Sequence, residues 1–252
     1  MSFIMGLVLC AAAVVAVVSG GGDPAKLIDF KALVFVAIGI TGLILITSPM
    51  TSFLRDIGCA FAALKKPEKP QKLTKKIMNL VQTARHEGIL ALEGLESEIK
   101  DPILKKGIAM ITGSADRETI ESILKSDAEF YAEKEKSAQE FIERIAMMSP
   151  GIGMLGTLVE IVQMLYTYKG PQTLAPGIAK ALLPVVYSGI IAYLLLMPLA
   201  ARVKSGSEQR KQQRELAIQG VLAIQSGEPP HIVEQRLSRF NRGTKENGGN
   251  SP

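Results

Sequence analysis

The amino-acid sequence predicts an all-α membrane protein with four transmembrane helices and a large helical cytoplasmic domain inserted between the second and the third. Two observations support this prediction. The 252 residues have a positive mean hydropathy of +0.22 although 21% of them are charged, so apolar and charged residues are segregated into long separate runs. No stretch alternates apolar and polar residues as a half-buried strand would, whereas helical spacing recurs in the charged regions.

Four apolar runs are the candidate membrane spans. The first two are near the short end for a bilayer crossing, which needs about 20 residues. The last two are separated by a very short linker, residues 167–173, and are therefore expected to form an antiparallel hairpin. The predicted spans are Phe3–Val18, Ala32–Thr47, Pro150–Tyr166 and Ala175–Ala201.

The distribution of basic residues predicts the orientation of these spans. Most Lys and Arg residues lie in residues 51–148 and in the C-terminal tail, whereas the two short linkers carry only Lys26, Lys31 and Lys169. The positive-inside rule then places both termini in the cytoplasm. The predicted parts are 1–50 (spans 1 and 2), 51–148 (cytoplasmic helical domain), 149–201 (the hairpin), 202–240 (cytoplasmic C-terminal helices) and 241–252 (a disordered tail).

Helical periodicity is present throughout the two charged regions. One predicted helix starts near Ala115 and has no Pro or Gly before Pro150, so we expect it to run into the third span. Gly227 to Pro230 form a stop signal in the tail. The other predicted helices cover about 73–84, 208–225 and 231–240.

Several classes of function are not supported by the sequence. It contains no Gly-rich loop ending in Lys-Ser/Thr, so no nucleotide site is predicted. His86 and His231 are too few and too far apart for a metal site, and no catalytic triad is indicated, so neither an enzyme nor a cofactor is expected. The basic tail follows a membrane span, which favours anionic lipid headgroups over nucleic acid.

The third predicted span carries polar residues at its centre. Glu160 is expensive to place in a bilayer, so such a carboxyl group is usually buried in protein and functional. Thr157 lies three residues earlier, on the same helical face. Gly151, Gly153 and Gly156 have a small-residue spacing that suits close helix packing. The span is therefore predicted to be a packed helix beside an ion route.

Three segments, residues 84–93, 150–159 and 219–227, together resemble the flagellar motor stator A subunits of the MotA/PomA family, within the MotA/TolQ/ExbB superfamily. Residues 84–93 are similar to the cytoplasmic motif of that family, residues 150–159 to its third span, and residues 219–227 to its post-membrane helix. The resemblance extends from about Thr51 to Phe240, in the order the family shows.

The resemblance implies a mechanism in the bacterial inner membrane. Five A chains are expected to surround two copies of a single-span B subunit, which carries an ion-binding Asp and a peptidoglycan-binding domain. Ion flow between A and B would turn the A ring against a flagellar rotor switch-complex protein. The energy is sufficient in principle, since an ion crossing about 100 mV releases roughly 2.3 kcal/mol per charge.

The resemblance also assigns coupling roles. Arg85 and Glu93 match charged positions that contact the rotor, and they lie about two turns apart if the helix is unbroken at Gly88. Pro150 and Pro198 match prolines at the cytoplasmic ends of the third and fourth spans, which are thought to couple ion binding to movement. A solvated helix surface and ordinary span ends are the alternatives.

Thr157 matches the hydroxyl position that faces the B-subunit Asp, although a membrane Thr often bonds its own backbone instead. Sodium-driven members carry a second Thr in the fourth span, and the alignment places Val185 there. Because Na⁺ needs several oxygen ligands, proton coupling is favoured. Sodium stays possible through backbone carbonyl groups.

Glu160, Lys180 and Pro184 depart from the family pattern. Glu160 is expected at mid-membrane and Lys180 within about two turns of the outer face. We expect these two residues to form a structural ion pair, within one chain or between neighbours. A direct role of Glu160 in ion passage is the alternative.

Two other functions stay open. One is a TolQ/ExbB-like ion-driven energiser of another cell-envelope process, although those proteins usually have three spans and lack the motif that contains Arg85 and Glu93. The other is a membrane scaffold without ion flux, which signals through its cytoplasmic helices.

Overall fold

The computed structural model describes residues 27–47 and 70–246, together with residues 5, 6, 8–10, 12, 13, 15, 16 and 58. All regular structure in these residues is helical, which confirms the predicted all-α class for this part of the chain. Of the sixteen residues of the first predicted span, Phe3–Val18, seven lie outside the described residues, so the count of four spans stays a prediction.

Three helical stretches of the described residues are long and apolar enough to cross a bilayer. They are α1, an apolar part of α4, and an apolar part of the stretch from α5 to α7. The elements are α1 (Phe30–Thr47), α2 (Pro70–Glu87), a 3-10 segment (Ile89–Glu98), α3 (Pro102–Thr112), α4 (Arg117–Tyr166), α5 (Pro171–Ala181), α6 (Leu183–Gly189), a π-helical segment (Ile190–Leu196), α7 (Met197–Gln225) and α8 (Pro230–Glu246).

Helix α4 contains 50 residues and continues through Pro150, so the predicted long helix that enters the third span is confirmed. At 1.5 Å per residue it is about 75 Å long. Its first turn is capped by Asp116, whose Oδ2 accepts the backbone N–H of Thr119 at 3.0 Å. Hydrogen bonds from the side chain and backbone of Thr119 hold the pKa of the Asp116 carboxyl below its ordinary value.

The C-terminal helices also follow the predicted pattern, with one extension. The predicted helix 208–225 is the second part of α7, and it ends where Gly227 adopts a positive φ of 63°. The N–H of Glu228 then bonds the carbonyl of Ala223, five residues back, as in a glycine C-cap. Helix α8 continues to Glu246, six residues past the predicted end at Phe240. Residues 247–252 lie outside the described residues.

The chain divides into two compact units, and α4 and α7 contribute residues to both. Unit 1 comprises residues 1–61 and 137–203, and unit 2 comprises residues 62–136 and 204–252. Unit 1 therefore holds the apolar helices, and unit 2 holds most of the charged sequence.

Unit 2 has a hydrophobic core built from α2, the 3-10 segment, α3, α4, α7 and α8. Helix α7 approaches α2 closely, because a Cβ on Gly220 would lie 2.6 Å from Ile77 Cγ2. Burial of this apolar surface is the main stabilising contribution. The core residues with no exposed surface include Ile77, Leu92, Leu104, Ile108, Ile120, Leu124, Leu216, Val221, Val233 and Leu237.

A charged contact joins α4 to α7 within unit 2. Glu135 accepts hydrogen bonds from Ser207 Oγ at 2.9 Å and from Arg210 Nε at 2.7 Å, and it also pairs with Arg214. The side chains of Glu135 and Arg214 are only 15% and 12% exposed. Removing one partner from such a half-buried cluster leaves an uncompensated charge, so the cluster fixes the register of the two helices.

Replacing Ile108 by Ala is expected to lower the free energy of unfolding by about 2–5 kcal/mol, because it leaves a cavity in the core of unit 2. Thermal unfolding of the purified chain in detergent measures this. The control is Lys105→Ala in the same helix, where the side chain is 50% exposed and its ion pair with Glu96 is 3.9 Å long. It is expected to change stability by less than about 1 kcal/mol. Equal losses in both variants would contradict the assigned core.

Candidate ion pathway

The closest helix contacts of unit 1 occur at two glycines of α4. A Cβ built on Gly153 would lie 1.9 Å from Ser188 Oγ and 2.7 Å from the Pro184 carbonyl oxygen. A Cβ built on Gly156 would lie 2.7 Å from the Phe35 ring and 2.9 Å from Pro184 Cβ. No side chain fits at either position, so these glycines allow α4 to touch both α1 and α6.

Gly151 behaves differently from the other two glycines. A Cβ at this position would meet nothing within 4 Å, and the residue is exposed. The small-residue spacing predicted for all three positions therefore corresponds to close contacts at only two of them within the chain. A contact of Gly151 with another chain stays a prediction.

Thr157 follows Gly156 and is only 9% exposed, and its Oγ1 has no hydrogen-bond partner. Two other buried hydroxyl groups of unit 1 do bond the backbone: Ser149 donates to the Ile145 carbonyl at 2.6 Å, and Ser188 donates to the Val185 carbonyl at 3.1 Å. The backbone bond expected as the alternative for Thr157 is thus not made. A buried hydroxyl left unpaired costs about 1–3 kcal/mol, which favours a partner from outside this chain.

Val185 is half-buried in α6. Its side chain offers no oxygen, and its carbonyl oxygen already accepts the hydroxyl of Ser188. This part of α6 therefore provides a poorer set of oxygen ligands than a Thr at the same position would.

Lys180 has a different partner from the one expected. Its Nζ lies 3.0 Å from Asp29 Oδ2, whereas Glu160 is half-buried and contributes only a weaker attraction to the same ammonium group. Within the chain, the ion pair expected between Glu160 and Lys180 is replaced by one between Asp29 and Lys180. A pair between Glu160 and Lys180 of neighbouring chains stays a prediction.

Asp29 also organises the start of α1. Its Oδ1 accepts the backbone N–H groups of Lys31 at 2.8 Å and Ala32 at 3.1 Å, as an N-cap residue does. Tyr187 Oη accepts the N–H of Asp29 at 2.9 Å and donates to the carbonyl of Leu27. The sequence reasoning missed Asp29 and Tyr187, although an Asp directly before an apolar run is a recognisable capping signal.

Of the two coupling prolines, Pro150 lies inside α4, whereas Pro198 is the second residue of α7. A π-helical segment, Ile190–Leu196, directly precedes Pro198, and the N–H of Met197 bonds the carbonyl of Ala192, five residues back. Proline lacks an N–H and clashes with the carbonyl four residues earlier, so a wider turn accommodates it. Such π segments are frequent at functional sites, and the sequence reasoning did not predict this one.

Arg85 and Glu93 are both exposed, but they do not share one unbroken helix. Helix α2 ends at Glu87, Gly88 has a positive φ of 89°, and Glu93 lies in the 3-10 segment. The spacing of two helical turns therefore does not apply. Leu90, which lies between the two charged residues in the sequence, is 73% exposed.

These features define a class of protein: an all-helical membrane protein in which a buried, unpaired hydroxyl and several charged groups lie between closely packed apolar helices. A family model described as the MotA/TolQ/ExbB proton channel family matches residues 95–216. The chain belongs to this family.

Individual relatives match nearly the whole chain. Chemotaxis protein PomA of Vibrio alginolyticus is 29% identical over 238 residues, which cover 94% of this chain and 93% of PomA. A chain of the flagellar MotAB stator complex from Bacillus subtilis is 25% identical, with a TM-score of 0.84 and 93% of both chains covered. A chain of C. jejuni MotAB shares the fold, with a TM-score of 0.86, 22% identity, and 95% of this chain and 94% of that chain covered.

Replacing Gly153 by Ala is expected to destabilise the chain by about 1–3 kcal/mol, because the added methyl group meets the Pro184 backbone. Gly151→Ala is the matched control, since the same methyl group meets nothing there and gains helix propensity. Thermal unfolding of the purified chain in detergent separates the two variants. A Gly153→Ala chain as stable as Gly151→Ala would contradict the close contact.

Proposed function

We propose that this chain is the A subunit of an ion-driven flagellar stator. With a single-span B subunit it forms an ion-conducting unit that converts ion-motive force into torque on the rotor. The observation that carries this proposal is the similarity over 93% of both chains to a chain of the Bacillus subtilis stator complex. The family model supports an ion-conducting role rather than an enzymatic one, without a cofactor.

The proposed unit lies in the bacterial inner membrane, with four spans per A chain and both termini in the cytoplasm. Three apolar helices of the described residues and the apolar run Phe3–Val18 are consistent with the four spans. Five A chains surround two B subunits, each of which has a peptidoglycan-binding domain. The basic residues of 51–148 and of the tail support this orientation.

In this proposal the ion passes beside Thr157. The Oγ1 atom of Thr157 is buried and has no partner in the chain, which suits a hydrogen bond to the ion-binding Asp of the B subunit. At the second position Val185 offers no side-chain oxygen. The proton is therefore favoured over Na⁺, which prefers several oxygen ligands.

The proposed rotor contact uses Arg85 and Glu93, with Pro150 and Pro198 coupling the membrane helices to it. Opposite charges on an exposed surface suit a contact that is made and broken repeatedly, because they accelerate association more than they strengthen it. The π-helical segment before Pro198 provides a place where α7 can change its hydrogen-bond pattern.

Thr157→Val tests the ion route. Removing a buried hydroxyl without a partner is expected to leave the stability of the isolated chain unchanged or slightly higher, while ion-driven rotation falls at least tenfold. Thr157→Ser keeps a hydroxyl and is expected to retain most of the rotation. The measurements are tethered-cell rotation in a strain without its own stators, and thermal unfolding. Normal rotation of Thr157→Val would remove Thr157 from the route.

Arg85→Glu and Glu93→Lys test the rotor contact. Each reversal is expected to reduce swimming speed several-fold while the chain reaches the membrane in normal amounts, because only a charge-steered contact is lost. Lys75→Glu, an exposed position of α2 outside this surface, is the control and should swim normally. Unchanged swimming in both reversals, together with ion flux, would favour the TolQ/ExbB-like alternative.

A further inference from the structure

Glu160 and Lys180 lie at the same level of the antiparallel pair formed by α4 and α5–α6. Gly156 contacts Pro184, and Met164 contacts Gly177 further along the same pair. Glu160 is four residues after Gly156, and Lys180 is four residues before Pro184. At 1.5 Å per residue, both are about 6 Å from that contact and on the same side of it.

Helix α1 adds a third charge at this level. It runs antiparallel to α4, since Phe35 meets Gly156 and Gly39 meets Ile152. In the same register, Asp29 lies within one helical turn of the level of Glu160. Three spans thus place two carboxyl groups and one ammonium group together.

Glu160 also lies on the packed face of α4. Gly153, Thr157, Glu160 and Met164 are spaced by three or four residues and form one stripe. Gly153 and Thr157 are buried, and Met164 lies against Gly177, so three of these four residues are packed within the chain. Glu160 therefore continues the face that holds the unpaired hydroxyl, one turn nearer the connection between α4 and α5.

The charges at this level do not cancel. Lys180 Nζ pairs with Asp29 Oδ2 at 3.0 Å, and Glu160 interacts only more weakly with the same ammonium group. The other titratable groups at this end of the described helices are the exposed residues Lys31, Tyr166, Tyr168 and Lys169, together with Tyr187, which bonds the backbone of residues 27 and 29. Of the three groups Glu160, Asp29 and Lys180, Glu160 is the one without an ion-pair partner in the described residues, and it lies one turn from Thr157.

We infer that Glu160 is a cation-gathering carboxylate of the ion route, and that Asp29 keeps Lys180 away from it. A fixed negative charge between low-dielectric walls raises the local concentration of cations. Thr157, nine-tenths buried and without a partner, is the next polar group along the same stripe and receives the cation from Glu160. This inference rests on the proposed stator function and extends it by an entry residue and a positioning pair.

The first test measures rotation against cation concentration. Tethered cells carrying this chain and its B partner are titrated with external protons and, separately, with external Na⁺, at constant membrane potential. For the coupling ion, Glu160→Gln is expected to raise the concentration at half-maximal speed about tenfold and to leave the maximal speed nearly unchanged. Glu160→Asp should restore most of the affinity. An unchanged half-maximal concentration in Glu160→Gln would overturn the inference.

The second test uses variants of the positioning pair, Asp29 and Lys180. The two single variants are expected to shift the half-maximal cation concentration in opposite directions. Asp29→Asn keeps the N-cap but releases Lys180 toward Glu160, so the half-maximal concentration should rise as in Glu160→Gln. Lys180→Met leaves a second carboxylate unpaired, so the half-maximal concentration should fall. The double variant should return close to the original value. Shifts of the same sign in both single variants would indicate a structural role only and would overturn the positioning pair.

A matched control and an independent readout complete the design. Lys169→Met removes an exposed cation from the turn before α5 and should change nothing. Membranes containing the chain are also treated with dicyclohexylcarbodiimide, which adds to protonated carboxyl groups in apolar surroundings, and the product is located by mass spectrometry. Modification at Glu160 that increases as the external pH falls and is weaker in Asp29→Asn supports the inference, and equal modification in the two chains contradicts it. If the unaltered chain drives no rotation, the stator function fails, while this labelling still decides the role of Glu160.

Discussion

The close approach of α4 to α6 at Gly153 is the contact on which the geometry of unit 1 depends. Without a Cβ at this position, the Pro184 carbonyl and the Ser188 side chain can lie directly against the α4 backbone. This contact fixes the register of the hairpin and the rotation of α4. A shift of one residue would turn each α4 side chain by about 100° and would remove Thr157 and Glu160 from the packed face.

Polar groups among these apolar helices are satisfied locally wherever the backbone permits it. Ser149 and Ser188 bond carbonyl groups of their own helices, and Asp29 uses one oxygen for its N-cap and the other for Lys180. Thr157 is the exception within unit 1, since its Oγ1 is buried and unpaired among the residues the structure describes. A buried hydroxyl group of this kind is tolerated where another chain supplies the missing hydrogen bond. The candidate ion site in unit 1 is therefore incomplete when the chain is alone.

The sequence was sufficient for features that depend on local spacing. Helical periodicity and the lack of Pro and Gly before Pro150 predicted the long helix α4, and Gly227 predicted the end of α7. Features that depend on register were not accessible. The partner of Lys180 within the chain is Asp29, which is 151 residues away in the sequence and is brought close by the packing of the helices at the glycine contacts. The antiparallel hairpin predicted Glu160 as the partner of Lys180, and this prediction was wrong within the chain. The π-helical segment Ile190–Leu196 likewise depends on how the helix accommodates Pro198, which residue spacing alone does not show.

The arrangement of oxygen atoms also bears on the choice of ion. A cation that enters beside Glu160 meets a carboxylate and then one hydroxyl, while the Val185 carbonyl is already engaged by Ser188. Na⁺ needs several oxygen ligands at once, whereas a proton needs only one acceptor at each step. The oxygen atoms along this proposed route therefore fit the proposed proton coupling.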